Sequence, residues 1–174
     1  LENNVIPIVN ENDTISVSEL MFTDNDELSG MIASMMNVQK LIILSNIDGI
    51  YNGSPSDKDS KVIPTISKDD YIDTYIQASK STFGRGGMLT KTTIARKIAE
   101  EGIEVIIANG TKKDILIKLC TQPHTTICTR FIPSNSNVSS VKKWIAHSEG
   151  FAKGAIYINE NAEKALCGAN AVSL

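Results

Sequence analysis

The sequence predicts an α/β fold with a mainly parallel sheet and helices on both faces. Three observations carry this. Short apolar, β-branched runs recur at Val5-Ile6-Pro7-Ile8-Val9, Leu41-Ile42-Ile43-Leu44 and Val105-Ile106-Ile107-Ala108. Stretches with helical spacing of apolar residues lie between them, and each run stops abruptly in polar residues. Near-continuous apolar strands belong to sheets buried on both faces, and strand–helix alternation marks βαβ units.

Val5 to Val9 reads as a buried strand with Pro7 near its start or on an edge. A polar cluster, Asn10-Glu11-Asn12-Asp13, follows it directly. Asp24-Asn25-Asp26-Glu27 opens a helix whose Leu28, Met31, Ile32, Met35 and Met36 share one face. Asp24 and Glu27 have the spacing of a capping box. After the second strand, Ser45-Asn46-Ile47-Asp48-Gly49 leads into a Gly-, Pro-, Ser- and Asp-rich loop over residues 52–60. Residues 62–66 form a candidate short strand and residues 68–79 a candidate helix. Gly84-Arg85-Gly86-Gly87 is a loop leading into a helix over residues 88–101 that Gly102 stops. The third strand ends at Asn109-Gly110-Thr111, a helix covers residues 112–121, and residues 126–130 form a last candidate strand.

The composition narrows the function classes. A hydrophobic share of 41% supports a packed core, and no apolar run approaches the roughly 18 residues a membrane span needs. With 17 basic against 20 acidic residues the chain offers no strongly basic face, so nucleic acid is not an expected partner. Cys120, Cys128 and Cys167 lack metal-ligand spacing and read as ordinary thiols of a reducing compartment. No metal cage or catalytic triad assembles around His124 and His147. Residues 1–133 read as the first unit, residues 134–141 as a linker, and residues 142–174, with Trp144 in their core, as the start of a second. Within that start, residues 142–146 and 155–158 read as short strands and residues 161–166 as a helix, too few for a core of their own. The chain starts without Met, one step before a strand, and is expected to be a fragment.

In a doubly wound sheet ligands bind beyond the carboxyl ends of the strands, where all these polar clusters fall. The glycines of the 84–87 loop would let backbone approach a phosphate, and Lys91 in the next helical turn would reach a β- or γ-phosphate. The same loop also suits a plain surface turn with a solvated lysine. The acidic clusters could hold Mg²⁺, hold the ammonium and carboxylate of a substrate, or merely start a helix. Ser45 and Asn46 could border a nucleotide or simply leave a strand.

Four strings in this order and spacing resemble the glutamate 5-kinases of the amino-acid kinase superfamily: Val5 through Asp13, Asp24-Asn25-Asp26-Glu27-Leu28-Ser29, Leu44-Ser45-Asn46-Ile47-Asp48-Gly49-Ile50-Tyr51, and Gly86-Gly87-Met88-Leu89-Thr90-Lys91. Beyond the linker, Lys143-Trp144-Ile145 and residues 154–166 look like the opening of a PUA domain, an incomplete β-rich segment. The resemblance implies a three-layer αβα sandwich and transfer of the ATP γ-phosphate, with Mg²⁺, to the γ-carboxylate of L-glutamate, the first step of proline synthesis. It implies Lys91 as the catalytic residue. Asp13 and Asn25 would bind glutamate, with Asn10, Glu11, Asn12, Asp24 and Asp26 beside them. Ser45, Asn46, Arg85, Gly86, Gly87, Met88, Leu89, Thr90 and Lys91 would bind ATP, and no protein metal site is implied. Thr23, Asn46 and Arg85 depart from the family's usual Gly, Asp and Thr. A homo-oligomer in the cytoplasm, with a glutamyl phosphate reductase as a partner, is expected.

Two other readings compete. One is a sister kinase acting on aspartate, acetylglutamate, carbamate or UMP. The other is a non-catalytic module that senses an amino acid or RNA. The family's first phosphate loop, of Lys-x-Gly-Ser type, has no counterpart in these 174 residues. The isolated chain is therefore expected to be poorly stable and to show no glutamate-dependent ATP turnover in a coupled ADP-release assay.

Overall fold

The computed structural model describes residues 5–10, 25–71, 87–135 and 157–167. Two helices deliver the chain into the two long strands in the same way. Helix α1 (Asn25–Met35) precedes strand β1 (Lys40–Ser45), and helix α2 (Gly87–Glu100) precedes strand β3 (Glu104–Asn109). Each helix ends on one left-handed residue, Asn37 (φ 48°) after α1 and Gly102 (φ 91°) after α2. The following amides, Val38 and Ile103, donate back to the carbonyls of Ala33 and Ile98. Glycine and asparagine are the residues that tolerate this reversal, and the apolar residue behind each packs down on the core. Both helices therefore run antiparallel to the strand that follows them, and their N-termini lie at the carboxyl end of the sheet.

The sheet has four strands in the order β1-β3-β4-β2, with β2 at Thr65–Ile66 and β4 at Thr129–Phe131. β1 pairs parallel to β3, from Lys40 opposite Glu104 to Ser45 opposite Asn109. β2 and β4 are parallel, while β3 and β4 are antiparallel. The mainly parallel expectation holds with that one exception. Helix α3 (Ile115–Thr121) brings the chain down from the carboxyl end of β3, and residues 122–128 climb back before β4 descends beside it.

Alternation along β3 makes two cores. Val105 and Ile107 face α1 and α2 with Ile43, Ala33, Ala95, Ile98, Ala99, Ile103 and Phe131. Ile106 and Ala108 face α3 with Ile115, Leu119, Cys128 and Ile42. The layers are helix, sheet, helix. Burying each large aliphatic side chain contributes about 1.5–3 kcal/mol, so the fully buried Val105, Ile106 and Ile107 make β3 the strand that both layers need. Cys128 lies in the second core, where burial pushes its thiol up from the usual value; Cys120 is exposed.

Four expectations change. Residues 5–9 form no strand: Val5, Ile6, Ile8 and Val9 are exposed, with Ile8 at 95%. An apolar β-branched run signals burial only if a neighbouring strand takes its hydrogen bonds, and among the described residues none pairs with it. Tyr157 and Ile158 are likewise exposed and irregular where a short strand over residues 155–158 is expected. The strand expected over residues 62–66 shrinks to Thr65–Ile66 plus a bridge between Val62 and Tyr51, because the Ile63 amide is taken by the Ile50 carbonyl of the loop after β1 and Pro64 has no N–H to offer a ladder. The final helix, α4 (Glu160–Cys167), matches the one expected at residues 161–166. The candidate helix over residues 68–79 does not begin where expected: residues 68–71 form a turn and irregular chain, closed by the Ser67 amide on Asp70 Oδ2 at 2.6 Å. Its remainder, the capping residue Asp24, most of the linker and Trp144 lie outside the described residues. No helix among the described residues is long and apolar enough to cross a membrane.

At the amino end of the sheet Glu104 gathers two cations. Lys40, its cross-strand partner, is 3.0 Å from Oε2, and Arg130 Nη1 donates to Oε1 at 3.0 Å. Arg130 Nη2 also donates to the Pro123 carbonyl at 3.0 Å. Partial burial works to raise the Glu104 carboxyl, but the hydrogen bonds and charges of Lys40 and Arg130 outweigh it and hold the carboxyl below the usual 4.5. A lowered folded-state value adds stability that is complete above the unfolded value and is lost as pH falls through the folded one. Urea unfolding at stepped pH should therefore show a loss of stability below about pH 4.5 that is smaller in Glu104→Gln.

Among the described glycines Gly49 lies closest to its neighbours. A Cβ there would lie 2.5 Å from Thr129 Oγ1, 2.8 Å from Val62 Cγ1 and 3.0 Å from the Thr129 nitrogen. The backbone nitrogen cannot yield without disturbing β4. Gly49→Ala should cost about 1–3 kcal/mol of stability through overpacking, read from the denaturant midpoint.

Candidate functional site

The site grows from the packing of α1 on α2. Gly30 faces α2, where an added Cβ would meet Ile94 Cγ2 at 2.9 Å and Ile98 at 3.4 Å. The missing side chain lets the helices approach closely. They are tied at their C-terminal ends by buried Ser34, whose Oγ donates to Glu101 Oε2 at 2.5 Å. At their N-terminal ends Lys91 Nζ donates to Asp26 Oδ2 in a partly buried ion pair. Asp26 sits in the first turn of α1 and Lys91 in the second turn of α2. Two helix N-termini, each a positive dipole end, thus converge on one corner of the sheet.

Strands β1 and β3 end at the same corner. The Gly110 amide donates to the Ser45 carbonyl at 2.8 Å, and Gly110 lies close over Leu44. Ser45 Oγ donates to Asn46 Oδ1 at 3.4 Å, with Asn46 exposed beyond the strand end. Asp48 then turns back toward β3. It accepts from Asn109 Nδ2 at 2.8 Å and from Lys112 Nζ at 2.7 Å. Asn109 Oδ1 in turn accepts from the Thr111 amide at 3.0 Å and the Thr111 hydroxyl at 2.7 Å. Burial works to raise the Asp48 carboxyl, but Lys112 and Asn109 prevail and hold it below its usual value. The Tyr51 hydroxyl is pushed up by burial and by the nearby Asp48 charge. Past Gly49, the Ile50 amide donates to Thr129 Oγ1 at 2.8 Å, and that hydroxyl donates to the Ile63 carbonyl at 2.7 Å.

The structure unites part of the expected site. Asp26, Lys91, Ser45 and Asn46 lie at the carboxyl end of the sheet. Asn25 is exposed at the start of α1, and Gly87, Met88, Leu89 and Thr90 begin α2, with Met88 packed against the core. Asn10 is exposed on the irregular segment after Val9. Glu11, Asn12, Asp13, Asp24, Arg85 and Gly86 lie outside the described residues. Residues with no local signal complete the corner: Asn109 and Lys112 reach Asp48 across 61 and 64 positions, and no spacing rule spans such a distance. The one hint was Asn109-Gly110 closing an apolar strand.

The sequence profile described as the amino acid kinase family matches residues 1–109. A protein of Bacteroides thetaiotaomicron named glutamate 5-kinase is 71% identical over 174 residues, all of this chain and 48% of its own length. One of the same name from Chlorobaculum tepidum is 48% identical over 179 aligned positions, covering 47% of its length. The chain spans about half the length of the curated relatives it matches. The solved carbamate kinase from Giardia lamblia bound to AMP-PNP superposes with a TM-score of 0.46 at 19% identity, over 64% of this chain and 36% of that one, too loosely to equate residues. With the family profile matching residues 1–109 of its 174, this chain belongs to the amino acid kinase family.

Proposed function

We propose that the chain forms the nucleotide-facing half of a glutamate 5-kinase, which moves the γ-phosphoryl group of ATP to the γ-carboxylate of L-glutamate. The observation that carries this is the Lys91–Asp26 pair. It joins the end of the glycine-rich string to the acidic string that the resemblance gives to the substrate, at the point where two helix N-termini converge. The relatives' shared name supports the acceptor.

The chemistry asks little of an acid or base. A glutamate γ-carboxylate oxygen attacks the γ-phosphorus, the bond to the β–γ bridging oxygen breaks, and ADP leaves. The acceptor has no proton to lose. Catalysis then rests on positioning and on offsetting charge at the bridging and equatorial oxygens. The Lys91 ammonium and the first-turn amides of α2 are suited to that task, and Asp26 aims Lys91 at the carboxyl end of the sheet. Ser45 and Asn46 border the nucleotide in this reading, with residues 85–90 around its phosphates. Asn25, Asp13, Asn10, Glu11, Asn12 and Asp24 take the glutamate. ATP is taken as its Mg²⁺ complex, which neutralises phosphate charge. Such an ion keeps several waters and needs at most one or two protein carboxylates; Asp26 and Asp48 are described carboxylates at this corner, each already paired with a lysine. The γ-glutamyl phosphate formed is a reactive acyl phosphate, which favours a reductase as partner. A cytoplasmic homo-oligomer, with residues 134–141 as linker and residues 142–174 opening a PUA domain, completes the proposal.

The test is a full-length hybrid in which this chain replaces the matching half of the Bacteroides thetaiotaomicron relative. With MgATP it should release ADP with glutamate, and form γ-glutamyl hydroxamate when hydroxylamine is present, but release no ADP with aspartate, acetylglutamate, carbamate or UMP; turnover with one of those acceptors, or ATP binding without turnover, would reassign the function. Lys91→Met in the hybrid should lower kcat at least about a hundredfold, the scale of losing one charge-stabilising donor, in a protein that still melts cooperatively, though at a lower temperature because the tie to Asp26 is lost.

A further inference from the structure

We propose that Lys112, together with Asn109, is a positioning residue for nucleotide: through Asp48 it pre-sets the loop after β1 in the shape that receives ATP. This rests on the nucleotide-site reading above, and it concerns a residue beyond the strings that suggested that reading.

The loop leaves β1 at Ser45, passes the exposed Asn46 and re-enters the core at Ile50, which is almost fully buried. Its far end is fixed. Gly49 is wedged against Thr129 and Val62, and the Ile50 amide is held by the Thr129 hydroxyl. Its near end is fixed by strand pairing and by the Gly110 amide on the Ser45 carbonyl. Between these anchors Asp48 is the one loop side chain with hydrogen bonds to another element among the described residues. Both of its oxygens are used, one by Asn109 and one by Lys112. Asn109 is itself locked by Thr111. Lys112 therefore fixes how far the Asn46 side of the loop stands off the strand ends. The Lys112 side chain is 41% exposed and Asp48 23%, so the pair keeps contact with solvent at the corner a nucleotide would enter.

A loop ordered before binding spares the ligand the cost of ordering it. Loss of the pair should therefore act on ATP affinity and leave the transfer step alone. An exposed or half-exposed ion pair contributes up to about 1 kcal/mol, which corresponds to an effect of about threefold to fivefold. A lysine that touched phosphate directly would behave otherwise, because its removal would still matter once Asp48 is gone.

The experiment is a double-mutant cycle in the hybrid with Lys112→Ala, Asp48→Ala and both together. The readouts are AMP-PNP affinity by calorimetry, KM for ATP, KM for glutamate, kcat and melting temperature. Each single change should weaken AMP-PNP binding and raise KM for ATP about threefold to fivefold. The double change should be no worse than either single one. Lys112→Arg should restore most of the affinity, while kcat and KM for glutamate stay near the parent's. The proposal is overturned if the two losses multiply, if nucleotide affinity is unchanged, or if kcat falls in step with affinity. AMP-PNP binding that follows this pattern without phosphoryl transfer to glutamate would sustain the role of Lys112 while removing glutamate as acceptor. A parent hybrid that binds no AMP-PNP would overturn both.

Discussion

The close packing of α1 on α2 is the constraint on which the rest of the corner depends. Gly30 permits it, since any side chain there would press on Ile94 and Ile98. Ser34 with Glu101 fixes one end of the helix pair, and Asp26 with Lys91 fixes the other. The same packing covers one face of β1 and β3, so the core and the proposed catalytic lysine are set by one interface. Stability and function are coupled here by geometry: a change in the helix–helix distance moves Lys91 relative to the strand ends.

The two ends of the sheet use charge differently. At the amino end Glu104 is held by Lys40 and Arg130, far from any polar cluster of the proposed site. That group joins β1, β3 and β4 and has a structural task. At the carboxyl end the ion pairs Lys91–Asp26 and Lys112–Asp48 stand among helix N-termini and turn amides, where an anion would meet a ready set of donors. Both are carboxylate–ammonium pairs, and their surroundings separate their roles. Glu104 sits on regular strands paired on both sides, whereas Asp26 and Asp48 sit where regular structure stops.

The exposed run at residues 5–9 shows how far a local signal reaches. Its run of β-branched apolar residues is as strong a strand signal as Leu41-Ile42-Ile43-Leu44 of β1. Yet Ile43 is buried and Ile8 is almost fully exposed. The difference is the neighbour: β1 has six paired positions on β3, and residues 5–9 have none among the described residues. Propensity selects an extended backbone, while burial is a property of the pair.

By itself the sequence determined the alternation of helices and strands, the burial of β3 on both faces, the stop at Gly102 and the strings that place the chain in its family. These are legible because they rest on periods of two or 3.6 residues, on glycine's freedom at positive φ, and on side chains close together in the chain. It also named Asp26 and Lys91, though as members of separate clusters. Only the tertiary structure decided that they touch, that β4 runs against β3, and that Asp48 is gripped by Asn109 and Lys112 from more than 60 positions away. Contacts of that separation depend on how the layers stack. No local pattern encodes them, because the distance between two strand ends is fixed by everything packed between and beneath them.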